Sequence, residues 1–115
     1  MRVTGVVVLP AGTAPFREAT LRVRLLDVTL ADAPSPVLAE TTMAGQRHTG
    51  TAELAVPFVL PAELPAGWRG DLQVSAHVDL TGDGLVRRGD LVSTASHPVS
   101  PLGEDNCVVR VWPVE

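Results

Sequence analysis

Leu72-Gln73-Val74-Ser75-Ala76-His77-Val78-Asp79 alternates apolar and polar residues along its whole length. A period of two belongs to a strand with one buried and one solvated face, and no other run in the chain shows it as cleanly. Leu91 to Ser96 follows after one connection and reads as the hairpin partner, ended by His97-Pro98. Upstream, Leu21, Val23 and Leu25 alternate with Arg22 and Arg24 inside a longer run from Ala19 to Leu30. The alternation slips after Leu25, where Leu26 and Val28 are apolar and Asp27 and Thr29 polar. Such a slip marks a bulge or a strand covered on both faces.

Arg2 to Val8 reads as a first strand, closed by the turn Leu9-Pro10-Ala11-Gly12. Val37 to Met43 follows the loop Ala31-Asp32-Ala33-Pro34-Ser35-Pro36, and Gly45 to Gly50 reads as another turn. Leu54, Val56, Phe58 and Leu60 alternate, with Pro57 indicating an edge strand. Pro61 to Gly70 has room for one helical turn at most. Asn106 to Trp112 places Cys107, Val109 and Val111 on one face. These runs predict an all-β fold, an antiparallel β-sandwich of about seven short strands with immunoglobulin-like architecture. Val23, Leu25, Val74 and Ala76 are expected to share one core.

The chain's 115 residues are predicted to form a single β-sandwich domain, residues 1–115. Gly and Pro number 10 each, which favours short elements joined by many turns. Aromatics are only 3%, so the core must be built of Val, Leu and Ala. A mean hydropathy of +0.22 is too apolar for a disordered chain. The net charge of −4 and the scattered arginines argue against a nucleic-acid partner. The single cysteine excludes an internal disulfide and leaves the redox compartment open. The N-terminal apolar run, cut short by Pro10, is far below the roughly 20 residues of a membrane-spanning helix and lacks the pattern of a signal peptide. The expectation is therefore a soluble chain with no direct membrane insertion. It is cytoplasmic if native, and periplasmic or in the cell envelope if it is a mature domain. The sequence assigns no oligomeric state.

One connection carries candidate chemistry: Asp79-Leu80-Thr81-Gly82-Asp83-Gly84-Leu85-Val86-Arg87-Arg88-Gly89-Asp90. Set against a calcium-binding EF-hand loop, oxygen side chains fall at positions 1, 3, 5 and 12, with Gly at position 6. Asp79, Thr81 and Asp83 would offer side-chain oxygens, Leu85 a backbone carbonyl, and Asp90 would close the shell around Ca. The flanking strands exclude an EF-hand fold, and Asp-Gly pairs also make ordinary hairpin turns. Two readings follow, a calcium-stabilised structural module and a solvated turn. The remaining candidates are weaker. Ser93 or Ser96 with His97 and Asp90 holds the residue types of a hydrolase triad, without a nucleophile-elbow pattern. His48, His77 and His97 have no metal-ligand spacing, and His77 is placed on the polar face of its strand. Cys107 reads as an inert buried thiol. Trp68 and Trp112 read as core or rim packing. No glycine-rich phosphate loop leads into a helix.

Several stretches together resemble a known family. They are Val3-Thr4-Gly5-Val6-Val7; Leu21 to Val28 running into Ala31-Asp32-Ala33-Pro34-Ser35-Pro36-Val37-Leu38-Ala39-Glu40; Val56 to Leu60; Val74 to Asp79; and His97-Pro98-Val99. They are similar to the YbaY family of bacterial lipoproteins, related to YscW, the pilotin of type III secretion. The resemblance covers Val3 to Val99. It implies a small β-sandwich that acts by binding, with no known catalytic activity. In YscW-type members a lipidated N-terminal cysteine provides the anchor, and the protein helps a secretin reach the outer membrane. No functional residue of the family maps onto a position here. The leading expectation is a non-enzymatic, protein-binding accessory domain, with the calcium-stabilised module as the alternative.

Overall fold

The computed structural model describes residues 1–30 and 32–115. Ala31, the first residue of the predicted proline loop and part of the stretch that carries the resemblance, lies outside the described residues. Eight strands follow in order: β1 (Arg2–Leu9), β2 (Phe16–Asp27), β3 (Val37–His48), β4 (Leu54–Pro61), β5 (Leu72–Asp79), β6 (Leu91–Ser93), β7 (Pro98–Val99) and β8 (Glu104–Pro113). The described residues contain no helix, and after Pro61, the end of β4, residues 62–70 form no regular element beyond turns and a bend. The all-β prediction holds, with the short β7 in addition.

The order across the sheet is β3-β2-β5-β6-β8-β1-β4, with β7 also paired to β5. The expected sandwich therefore needs correcting to one nearly closed, barrel-like sheet. The cause lies in β8. Its residues from Glu104 to Arg110 pair with β1, and Val111 to Pro113 pair with β6, so one strand serves both layers. The β1–β8 pair is parallel and the rest are antiparallel. The sequence reading had all strands antiparallel. Strand direction is set by long connections, and hydrophobic alternation carries no information about it.

β2 and β5 sit side by side, with Val23 opposite Ala76 and Leu25 opposite Val74. Their inward faces join Val3, Val7, Leu60, Leu91, Val109 and Val111 in one core in which most side chains are fully buried. Each buried Val or Leu contributes about 1.5–3 kcal/mol. Such aliphatic side chains suit a narrow interior, and Phe58 is the one aromatic fully inside it. The slip read after Leu25 is a real irregularity: the β2–β3 register shifts between Leu25 and Leu26. β3 runs on through the expected Gly45–Gly50 turn as far as His48. Gly45, at φ +69°, takes the left-handed position of a bulge, so the strand passes through a segment that reads locally as a turn. Pro57 does lie on an edge strand, β4.

Gly5 faces a second bulge, in β8, where Asn106 adopts φ +61°. A Cβ at Gly5 would stand 2.1 Å from the Cys107 carbonyl oxygen. The obstacle is backbone, which cannot swing aside, so Gly5→Ala must part the β1–β8 ladder. Chemical denaturation should show a loss of about 1–3 kcal/mol for this variant, with the far-ultraviolet spectrum still all-β. An unchanged midpoint would mean that β1 and β8 are not this close.

Candidate functional site

The 79–90 connection folds back over the outer face of β5 and is held by two buried carboxylates. Asp79 is fully buried. Its oxygens accept hydrogen bonds from the backbone N–H of Gly82 at 2.9 Å and of Gly84 at 2.8 Å, and from the Thr81 hydroxyl at 3.3 Å. From the neighbouring strand, Arg22 donates through Nε at 3.2 Å and lies within 3.1 Å through Nη2. Gly82 and Gly84, at φ +76° and +82°, allow the loop backbone to curl its N–H groups onto one carboxylate.

Asp90 is equally buried and ties together more distant parts. It accepts from the N–H groups of Leu80 and Arg87, both at 3.1 Å, and from His77 Nε2 at 2.7 Å. Its backbone carbonyl accepts from Val114 N–H at 2.7 Å, and Gly89 N–H donates to the Val114 carbonyl at 2.9 Å. Both ends of the loop, β5 and the C-terminal segment thus meet at one residue. His77 does lie on the outward face of its strand, but this loop covers it, leaving it 5% exposed rather than solvated. Its Nδ1 is buried without a partner.

The structure therefore brings together only part of the calcium set read from the sequence. Ligating atoms of His77, Asp79 and Asp90 lie within 4.8 Å of one another, and Thr81 is turned toward Asp79. Asp83 is exposed, accepts from Leu85 N–H at 3.0 Å and pairs with Arg87 Nε at 2.5 Å. The Leu85 side chain is exposed. Calcium takes 6–8 oxygen ligands, whereas here Asp79 and Asp90 already accept several hydrogen bonds, some of which an ion would have to displace. Sequence reasoning missed Arg22 and His77. Both look like outward residues of amphipathic strands, and only the fold of the loop over them shows otherwise.

Burial acts to raise the Asp79 pKa, but the Gly84 and Gly82 N–H bonds outweigh it, helped by Arg22 and the nearby His77, and bring it down to about 2. A folded-state value below the ordinary 3.8 means the ionised form stabilises the fold above that pH. That contribution is lost as pH falls from about 4 toward 2. The hydrogen bonds of Leu85 N–H and Arg87 hold Asp83 below the usual carboxylate range. For Cys107, 5% exposed, burial and then the neighbouring Glu104 push the thiol up, with Sγ 3.6 Å from Glu104 Oε2.

The triad residue types are directed to separate partners. Ser93 Oγ accepts from Ala76 N–H at 2.9 Å, Ser96 bonds Gln73, His97 bonds the Val108 carbonyl, and Asp90 is held by His77. Trp68 packs at the margin of the core with its indole N–H buried and unpartnered, while Trp112 is 46% exposed. Val59 and Val108 are also exposed on the outer faces of β4 and β8. β3 and β4 end the sheet without a ladder between them, so each keeps one row of backbone N–H and C=O groups unpaired.

The sheet is barrel-like with open edges at β3 and β4, and among the described residues Ser93, Ser96, His97 and Asp90 do not assemble into a triad. The chain belongs to the YscW family, described as type III secretion system lipoprotein chaperone, whose model matches residues 1–99. The expected kinship is shown under the YscW name, and the YbaY name is not the one the match carries. The fold is similar to that of an alternative pilotin from the type II secretion system of Vibrio cholerae. The TM-score is 0.72 at 24% identity, over 100% of this chain and 97% of that one. No curated protein matches the chain. Among the described residues no helix is long and apolar enough to cross a membrane.

Four measurements check the site and its surroundings. Asp79→Asn should cost about 2–3 kcal/mol by leaving buried donors without their anion, whereas Asp83→Asn should leave the melting curve little changed. Wild-type stability should fall between pH 4 and 2, with a smaller fall in Asp79→Asn. Calcium at several millimolar should move the melting temperature no further than sodium at matched ionic strength. A larger calcium shift would show that the N–H donors yield to the ion. Cys107 should react with a thiol reagent only at the rate of opening, and fast stoichiometric labelling of the native protein would contradict its burial.

Proposed function

We propose that residues 1–115 form one non-enzymatic domain that acts as a chaperone or pilotin-type accessory factor. Its partner is a secretin-type component of a secretion system, and it works in the cell envelope. The observation that carries this reading is the match to the YscW family over residues 1–99. The pilotin fold of the structural neighbour supports it, and so do the unpaired edges of the sheet. β3 is the better docking edge. Its twelve residues, Val37–His48, carry only Glu40 and Arg47 as charges, and a long edge with so few charges is little protected against strand addition. An extended partner segment laid along it gains main-chain hydrogen bonds.

Co-expression with the secretin of the same secretion system should yield a complex that co-purifies. Hydrogen exchange in that complex should slow at the outward amides of β3, which exchange quickly in the free protein. Absence of any complex would overturn the partner. Protection confined to β8 and β4 would keep the partner and move the docking site to the outer face bearing Val59, Val108 and Trp112.

A further inference from the structure

Arg17 and Arg47 line one open cleft of about 730 Å3, together with Pro15, Phe16, His48 and Thr49. The cleft lies where the β1–β2 and β3–β4 turns meet, joined by Gly12 N–H to the Gly50 carbonyl at 2.8 Å. Its floor is fixed. His48 is 5% exposed, and its Nε2 donates to the Pro10 carbonyl at 3.0 Å while its Nδ1 accepts from Gly50 N–H at 3.3 Å. Both ring nitrogens are in use, which assigns the Nε2–H tautomer. The ring meets Phe16 edge-on, with centroids 6.1 Å apart.

Both arginines are exposed, and among the described residues neither forms an ion pair. Arg22, Arg24, Arg87 and Arg110 each have a carboxylate partner, and Arg2, Arg69 and Arg88, also without one among the described residues, lie outside the cleft. Two uncompensated guanidinium groups in one cleft are out of keeping with a chain of net charge −4. The backbone at the rim is also unusual. A bulge between Phe16 and Ala19 puts Glu18 at φ +61°, a region that a residue with a Cβ occupies at a cost. The extra residue leaves Arg17 on the cleft wall and Glu18 off it.

The geometry points to this cleft as a binding site for an acidic side chain flanked by an apolar residue, on a segment of the protein partner. Two guanidinium forks match the paired oxygens of a carboxylate, and Pro15 and Phe16 supply the apolar wall. Arg47 and His48 are the last residues of β3, so a segment added along that strand continues into the cleft. An anionic bilayer is disfavoured as the occupant, because a chain of net charge −4 is repelled by it. The assignment rests on the reading of a protein partner and names the chemistry of its contact.

The test is a nuclear magnetic resonance titration of the full chain with acetyl-Leu-Glu-Val-amide. Its Gln analogue, inorganic phosphate and phosphatidylglycerol vesicles serve as the other arms. The Glu peptide should give saturable shifts at Phe16, Arg17, Arg47 and Thr49, weakened by salt. Binding should fall about tenfold or more for the Gln peptide and for the R17A/R47A double variant. It should be unchanged in R69A, which alters an exposed arginine outside the cleft. The Gln-peptide arm uses the wild-type protein, so the outcome does not depend on a variant folding. Equal binding of the two peptides, absence of saturable shifts, or undiminished binding to R17A/R47A would overturn the assignment. Vesicle binding tighter than peptide binding and lost in R17A/R47A would give the cleft to lipid phosphate instead. A secretin complex that forms equally well with R17A/R47A would sink this inference alone. Failure to form any secretin complex, with peptide binding intact, would sink the partner and leave the cleft's chemistry standing.

Discussion

β8 changes partners partway along its length, and the barrel-like closure depends on it. From Glu104 to Arg110 it runs parallel to β1, and from Val111 to Pro113 antiparallel to β6. Two sheets that would otherwise face each other as separate layers become one. Cys107, Val109 and Val111 point inward across both halves of the strand. The close approach of β1 at Gly5 and the left-handed Asn106 permit the first half of this pairing. A bulge adds local twist and bends its strand, and here the bend comes before the strand crosses to its second partner.

The buried charges stabilise a different part of the molecule. Asp79 and Asp90 act as anchors onto which loop N–H groups, Arg22 and His77 converge. A buried carboxylate is tolerated when several donors surround it, and that condition is met within the loop's own backbone. The network is structural in kind. It fixes the β5–β6 connection against the C-terminal segment through Asp90 and Val114. At the same end of the barrel, His48 and its two backbone partners brace the turns beside the Arg17–Arg47 cleft. That end is braced by hydrogen bonds in its floor and carries Arg17 and Arg47 exposed above it.

Membership of the YscW family agrees with this physical picture. What the barrel offers another protein is unpaired backbone along β3 and β4, exposed apolar residues on the outer face of β8 and β4, and a basic cleft at one end. Among the described residues no ladder joins β3 to β4, which leaves unpaired backbone along that seam.

The sequence by itself determined the strands and their inward faces. Alternation is a local property, and the burial of Leu21, Val23, Leu25, Val74, Ala76 and Val78 follows from it directly. The irregularity after Leu25, the edge position of Pro57 and the burial of Cys107 were legible for the same reason. The stretches that resemble the YscW relatives were legible too, most of them in those strands and one in the loop that joins β2 to β3. Only the tertiary structure decided the rest. The parallel pairing of β1 with β8 joins residues about a hundred positions apart, and nothing in either strand's pattern encodes its direction. The extension of β3 through Gly45 depends on β2 offering a partner where local composition says turn. His77 and Arg22 sit at positions that alternation assigns to solvent, and they are covered because a loop elsewhere in the chain folds across them. Asp79 and Asp90 were legible as carboxylates at a suggestive spacing. That they face N–H donors follows from the path of the backbone, which the order of side chains along a loop does not specify.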